Sequence, residues 1–385
     1  PSSFKVLVKK KFFGEKFDQF DQLDSILYNQ HFIPKTHFEN LEFEKIKLDF
    51  LESNIQGYHK NYIKKFFLEK VNNDLVAFSN NEIYKFKNFD LKKKIKLDSN
   101  LDKFNFSDVL DISKIQDDLF ISAAFKNNEL NCSNLKILNA RINEENLKFD
   151  IFFSFDECLK NIVGGRIKEY NFKKKNGFLI TTGAYFKDEK LISQDNDSLF
   201  GKIIFFDLSE KNFMIFSKGH RNPQGLLVED KIILSTEHAD YGGDEINKIT
   251  LNGNYGYPVS SYGEPYEFRK DFLAQRKNYV FKKNHSKNYF TEPIYSFLPS
   301  IGISEIISVP EKFSKYWNDN FLVSSLGAKS LYRIKFSDDY KKIIYNERIF
   351  VGERIRDLLT NNEGDKLYLA LENTGSIGII SVKKN

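Results

Sequence analysis

The chain has 385 residues, 41% of them hydrophobic and 29% charged, a composition that excludes wholesale disorder and allows a large buried core. Its 58 Lys and Arg against 53 Asp and Glu leave a net charge of +5, too small and too interspersed for a nucleic-acid-binding surface. No apolar run approaches the roughly 18 residues needed to cross a bilayer as a helix.

In chain order, the first clear pattern is FKVLVKKKFF at 4–13, which alternates like a strand. Residues 18–47 fit no regular pattern and read as an irregular segment with a short helix. From there one unit recurs: an apolar strand opening near Asp, Asn or Lys, a turn, then a second apolar strand. It occurs at 74–86, 118–142, 177–208, 231–250, 320–336 and 366–382.

The starts fall roughly 45 to 60 residues apart, the length of one four-stranded propeller blade, except around 251–300, a Tyr- and Gly-rich insertion. A single blade cannot cover its own apolar faces, so the reading is an all-β, six-bladed propeller formed by the whole chain as one domain. Ring closure is expected where the N-terminal 4–13 strand pairs with SIGIISV at 376–382, which also protects both edges.

Several features carry ordinary readings. The basic run Lys92–Lys96 suits a solvated strand edge, and His31, His37, His59 and His285 show no ligand spacing. Trp317 reads as packing. The two cysteines, Cys132 and Cys158, are too few for a disulfide scaffold; one bridge and two buried thiols both fit the sequence.

The densest chemistry lies in GHRNPQGLLVEDKIILSTEHADYGGDEINKITLNGNYGYPVSSYG, residues 219–263. Arg, Asn, Gln, His, Glu and Asp are interleaved with glycines between strands, as in loops that gather at one face of a propeller around its channel. GGDEI at 242–246 also matches a cyclase signature, but its flanks are strand and turn, so that match reads as chance.

These blocks, Arg-Asn-Pro-Gln-Gly, Thr-Glu-His, Gly-Gly-Asp-Glu-x-Asn and Asn-Tyr-Gly-Tyr-Pro in order, resemble the soluble quinoprotein sugar dehydrogenases, the glucose/sorbosone dehydrogenase family of six-bladed propellers. Weaker agreement runs through GGRI at 164–167, QDNDSLFGKI at 194–203, PSIGIS at 299–304 and ERIRDL at 353–358. The resemblance implies pyrroloquinoline quinone and calcium as cofactors, a sugar or related alcohol as substrate, and a periplasmic or extracellular setting, with any leader or anchor lying ahead of Pro1.

Residue by residue, the resemblance implies that Arg221, Asn222, Arg354 and Arg356, with Lys329 as a looser match, face the quinone's carboxylates. It implies a calcium held by backbone carbonyls at Ala239 and Asp240, although the family's His-Gly-Pro is here His238-Ala239-Asp240. A second, structural calcium is implied at the carbonyls of Glu245 and Tyr255.

The family's proton-accepting histidine stands four residues before the Arg of Gly-Gly-Arg, and here that place is Ile162. The family's nearby Gly-Asp is Gly183-Ala184. The expected function is therefore that of a divergent sugar oxidoreductase with no base at position 162, the alternative being a non-catalytic propeller that binds a ligand or a protein.

Overall fold

A computed structural model describes residues 36, 39–48, 65–79, 82–142, 146–184, 191–264 and 282–383. Among them the chain forms six four-stranded antiparallel blades, one small parallel pair of Asp98–Ser99 with Asn146–Leu147, and no α-helix. The first blade comprises Phe67–Val71, Asp74–Ser79, Glu82–Phe86 and Lys94–Lys96. The second comprises Phe106–Ile115, Asp118–Asn127, Cys132–Arg141 and Asp150–Leu159.

The third blade runs through Gly164–Phe172, Lys175–Thr182, Lys202–Asp207 and Asn212–Lys218, and the fourth through Pro223–Glu229, Ile232–Glu237, Asp244–Lys248 and Tyr295–Phe297. Ile303–Ser308, Asn320–Ser325, Ser330–Phe336 and Ile343–Phe350 make the fifth. The sixth combines Ile355–Thr360, Lys366–Leu371 and Ser376–Val382 with an outer strand from far upstream, Leu41–Lys47. Each of the six sequence copies supplies the middle strands of one blade.

Ring closure is real, but the strand that makes it is not 4–13, which lies outside the described residues. Leu41–Lys47 pairs in full register with Ser376–Val382, so part of the stretch 18–47 expected to be irregular is an edge strand. LEFEKIK places Leu41 and Phe43 on one face, where they pack into the core shared with Leu369 and Ile380. The insertion 251–300 also gives up two strand segments: Gly253–Asn254 extends the third blade, and Tyr295–Phe297 closes the fourth.

Strands such as DLVAFS read as unbroken apolar runs because both of their faces are buried. Phe67, Val76 and Phe78 point into the core between the first and second blades, while Leu68, Leu75 and Ala77 point into the core between the first and sixth. Six such cores, one per blade junction, hold the ring together. Each fully buried Leu, Ile or Phe contributes about 1.5 to 3 kcal/mol. Cys132 and Cys158 form a disulfide, closing a 26-residue separation between the two outer strands of the second blade.

The channel where the innermost strands meet is filled by one buried arginine. Gly164 and Gly165 adopt φ of 79° and 97°, and a Cβ on Gly165 would stand 2.4 Å from Leu110 Cβ, so only glycine lets the strand enter the axis there. Behind them Arg166 touches every blade. One terminal nitrogen lies 3.0 Å from Asp111, 3.2 Å from Glu305 and 3.2 Å from Asp357. Its Nε donates to Gln224 O at 2.6 Å, its other terminal nitrogen donates to Arg356 O at 3.0 Å, and its guanidinium stacks 4.8 Å from the Phe67 ring centre.

Burial pushes the Asp111 carboxyl up to about 6 and that of Glu305 up to about 7, against the pull of Arg166 and Lys168. Both ordinary values are lower, so the folded chain binds more protons than the unfolded chain between them. The stability these groups contribute is full below about pH 4 and is lost as pH rises through 6 to 7. Calorimetry should therefore show the melting midpoint falling between pH 5 and 7.5 in the wild-type chain and falling less in Glu305→Gln.

Candidate functional site

The loops that enter the innermost strands gather at one end of the ring, and hydrogen bonds join them into a continuous band. Ala184 N donates to Arg221 O at 2.8 Å, and Gly164 N donates to Asn222 Oδ1 at 3.2 Å. Gln224 Nε2 donates to the same Asn222 oxygen at 2.6 Å, while Gln224 Oε1 accepts from Arg356 at 2.7 Å. Arg356 and Arg354 then donate to opposite oxygens of Glu372, at 2.6 and 3.0 Å. The carbonyl of Lys329 accepts from Val351 N and Gly352 N, tying that residue to the loop that leads into Arg354.

Thus Asn222, Arg356 and Arg354, from loops far apart in sequence, are joined in one hydrogen-bonded band next to Arg221. Burial alone would raise the Glu372 carboxyl, but Arg356 and Arg354 outweigh it and hold it below its usual range. The Arg221 guanidinium is fixed by the His238 carbonyl at 2.5 Å and the Asp240 carboxylate at 2.7 Å, and lies 6.0 Å from the Tyr257 ring centre. Asp240, which stands where the family has proline, therefore adds a carboxylate beside Arg221.

Ile162 is 6% exposed and Ala184 2% exposed, and both belong to the apolar core between the second and third blades, with Leu110 and Phe200. The two places where the resemblance puts a histidine and an aspartate are thus filled together by hydrocarbon. Of the two histidines in the matching blocks, His220 is not free to substitute, whereas His238 is partly exposed. His220 is fully buried, with one nitrogen 2.8 Å from Ser217 Oγ and the other 3.0 Å from Glu237. His238 Nδ1 lies 2.8 Å from Asp244.

Glu245 and Tyr255 lie behind Arg221, in a polar cluster at the junction of the third and fourth blades where Glu237 accepts from Arg221 N. Glu237 and Glu245 are direct cross-strand partners, as are Ser235 and Asn247, and Ser296 faces Glu245 from the next strand. Tyr255 stacks on His220 at 4.7 Å. Burial, then the neighbouring Glu237, pushes the Glu245 carboxyl well above its ordinary value. Ser235 Oγ, Asn247 Oδ1 and Ser296 Oγ are buried without a hydrogen-bond partner. Among the described residues no three His, Cys, Asp or Glu side chains converge as a metal cluster.

Three residues of this end escaped the sequence reading: Lys65, Asp108 and Glu372. Lys65 Nζ contacts both oxygens of Asp108, at 2.9 and 2.8 Å. Lys65 and Asp108 sit in the least patterned third of the sequence, where only a blade repeat is visible, and their pairing spans 43 positions. Glu372 could have been found from its place, since it directly follows the middle strand Lys366–Leu371 of a blade copy, close to where Glu237 stands in its own.

A sequence profile described as glucose/sorbosone dehydrogenase matches residues 115–379, and the chain belongs to that family. It is 26% identical over 234 residues to the aldose sugar dehydrogenase YliI of Escherichia coli, covering 56% of this chain and 59% of that protein. It is 26% identical over 209 residues to the quinoprotein glucose dehydrogenase B of Acinetobacter calcoaceticus, covering 42% and 44%. The chain thus spans about half the length of the curated relatives it matches.

Among solved structures, the soluble aldose sugar dehydrogenase of Escherichia coli in its apo form superposes with a TM-score of 0.69 at 19% identity, covering 90% of this chain and all of that one. The quinone-bound aldose sugar dehydrogenase of Streptomyces coelicolor gives 0.62 at 19%, covering 89% and 99%. Both confirm the propeller fold.

Proposed function

We propose that the chain is a divergent quinoprotein-type oxidoreductase of sugar CH–OH groups, one that keeps the cofactor-holding face and has lost the proton acceptor at position 162. The observation that carries this is the band in which Arg354 and Arg356 meet on Glu372 and Arg356 is joined through Gln224 to Asn222, the neighbour of Arg221.

Guanidinium groups match carboxylates in pairs of parallel hydrogen bonds. Arg221, Arg354 and Arg356 stand against Glu372 and Asp240, which leaves net positive charge for an anionic ligand. Asn222 and Lys329 complete the rim. When bound, the quinone supplies a hydride acceptor and calcium polarises its oxygen.

The oxygen-lined chamber at Glu237, Glu245, Asn247, Ser235 and Ser296 suits a hard cation, which prefers oxygen ligands. It supports a structural calcium near Glu245 and Tyr255. At Ala239 and Asp240 the fit is altered, because Arg221 occupies the His238 carbonyl and Asp240 brings its own charge. The Cys132–Cys158 bridge supports an oxidising compartment, periplasmic or extracellular. A second reading, a non-catalytic propeller that binds its ligand without turnover, is favoured by the shared hydrocarbon filling at Ile162 and Ala184.

Titration of the purified chain with pyrroloquinoline quinone and calcium, followed by quenching of protein fluorescence, tests the cofactor-holding face. Arg356→Ala should weaken quinone binding about 10- to 100-fold, the worth of one charged hydrogen-bond partner. No saturable binding by the wild-type chain would sink the reading.

A further inference from the structure

The pair Lys65–Asp108 is absorbed by none of the roles above, yet it stands between the two halves of the site. On one side, Lys65 lies close enough to Arg356 and Glu372 for both to bear on its charge. On the other, Asp108 is two residues from Leu110, whose side chain packs in one core with Ile162 and against which Gly165 is pressed. The backbone of Asp108 thus lies two residues along the innermost strand from that core, while its carboxylate turns to Lys65 on the first blade.

The pair is also built unlike a surface ion pair. The Lys65 side chain is 12% exposed and that of Asp108 41% exposed, so the lysine is anchored in the wall while the carboxylate faces outward. Ser79 Oγ donates to Lys65 O at 2.7 Å and fixes the backbone there. One ammonium reaches both carboxylate oxygens, which orients the carboxylate. Burial lowers the Lys65 ammonium, with Asp108 opposing that fall.

We infer that Asp108 is the proton acceptor for sugar oxidation in this chain and that Lys65 is its positioning residue. The inference rests on the oxidoreductase reading above. In the step, the substrate's O–H bond breaks and its proton passes to an Asp108 oxygen. The quinone, held by Arg354, Arg356 and Arg221, would supply the acceptor for the C–H hydrogen and its electron pair, so that carbon would reach the carbonyl level with no further reactant. Lys65 holds the Asp108 carboxylate in one orientation through both of its oxygens, and Arg356 and Glu372 are the other charged groups facing Lys65.

The test uses the full chain with pyrroloquinoline quinone, calcium and D-glucose, reading the quinone dissociation constant and the rate of its reduction by sugar from pH 5 to 9. Asp108→Asn should lower the rate about 10²-fold or more, the scale of general-base catalysis, while the quinone dissociation constant stays within about threefold. Lys65→Met should lower the rate about tenfold or more while the quinone dissociation constant stays within about threefold, because the carboxylate is no longer held in one orientation, and Lys65→Arg should restore it.

In Asp108→Asn, adding Ile162→His should return rate, which a merely structural role for Asp108 would not allow. The inference is overturned if Asp108→Asn keeps the wild-type rate with quinone bound. It is equally overturned if the wild-type chain binds quinone and is never reduced by sugar, an outcome that leaves the cofactor-holding face standing. Failure of the wild-type chain to bind quinone overturns both.

Discussion

Arg166→Met should destabilise the chain by about 3 to 5 kcal/mol, the cost of removing one partner from a buried charge cluster. A folded domain has only about 5 to 15 kcal/mol in hand, so denaturant unfolding should show a large drop in midpoint or a loss of cooperativity. Asp111, Glu305 and Asp357 lie within 3.2 Å of one arginine nitrogen, and without it they face one another around the axis with Lys168 as the remaining nearby cation. For Lys168, burial works against the charge, but the surrounding carboxylates, led by Glu305 and Asp111, outweigh it and hold the ammonium above its ordinary range.

The contrast is Arg141, whose side chain is 69% exposed and pairs with Asp117 and Asp118. Exposed pairs contribute about 0 to 1 kcal/mol, so Arg141→Ala should change little. Arg166→Met combined with Glu305→Gln should lose less than Arg166→Met alone, since one of the stranded charges is gone. A loss below about 1 kcal/mol for Arg166→Met would contradict the view that this arginine ties six blades.

In the Asp108→Asn background, Ile162→His should raise the rate at which sugar reduces the bound quinone by about 10²- to 10⁴-fold, the range a well-placed base supplies. Isoleucine has no proton-accepting atom, whereas a neutral imidazole takes a proton near pH 7. The same change puts a polar ring among Leu110, Ala184 and Phe200, at a stability cost of about 1 to 3 kcal/mol. Ala184→Asp, in the same cluster, would offer the imidazole N–H an acceptor, so the double variant should recover part of that stability and orient the ring. Dye-coupled assays and thermal unfolding read the two effects separately. No gain in rate with quinone still bound would show that position 162 is not where the proton leaves.

The blade repeat was legible because a strand buried on both faces must be apolar throughout, and DLVAFS, LFISAAF and KLYLAL announce it. The arginine band was legible only through the Gly219–Pro258 blocks and ERIRDL, which resemble a family whose site is known to form there. The mistaken closing strand has a simple cause. FKVLVKKKFF and LEFEKIK both alternate, and alternation specifies a half-buried strand without specifying its partner.

By itself, the sequence determined the class of fold, the number of blades and the absence of a base at position 162, since each of these depends on local pattern or residue identity. Only the tertiary structure decided that Leu41–Lys47 closes the ring, that Cys132 and Cys158 are bridged, that Asp240 takes up Arg221 and that Lys65 meets Asp108. Those outcomes depend on residues tens to hundreds of positions apart being carried to one place by the closed ring. Periodicity along the chain holds no record of such distances.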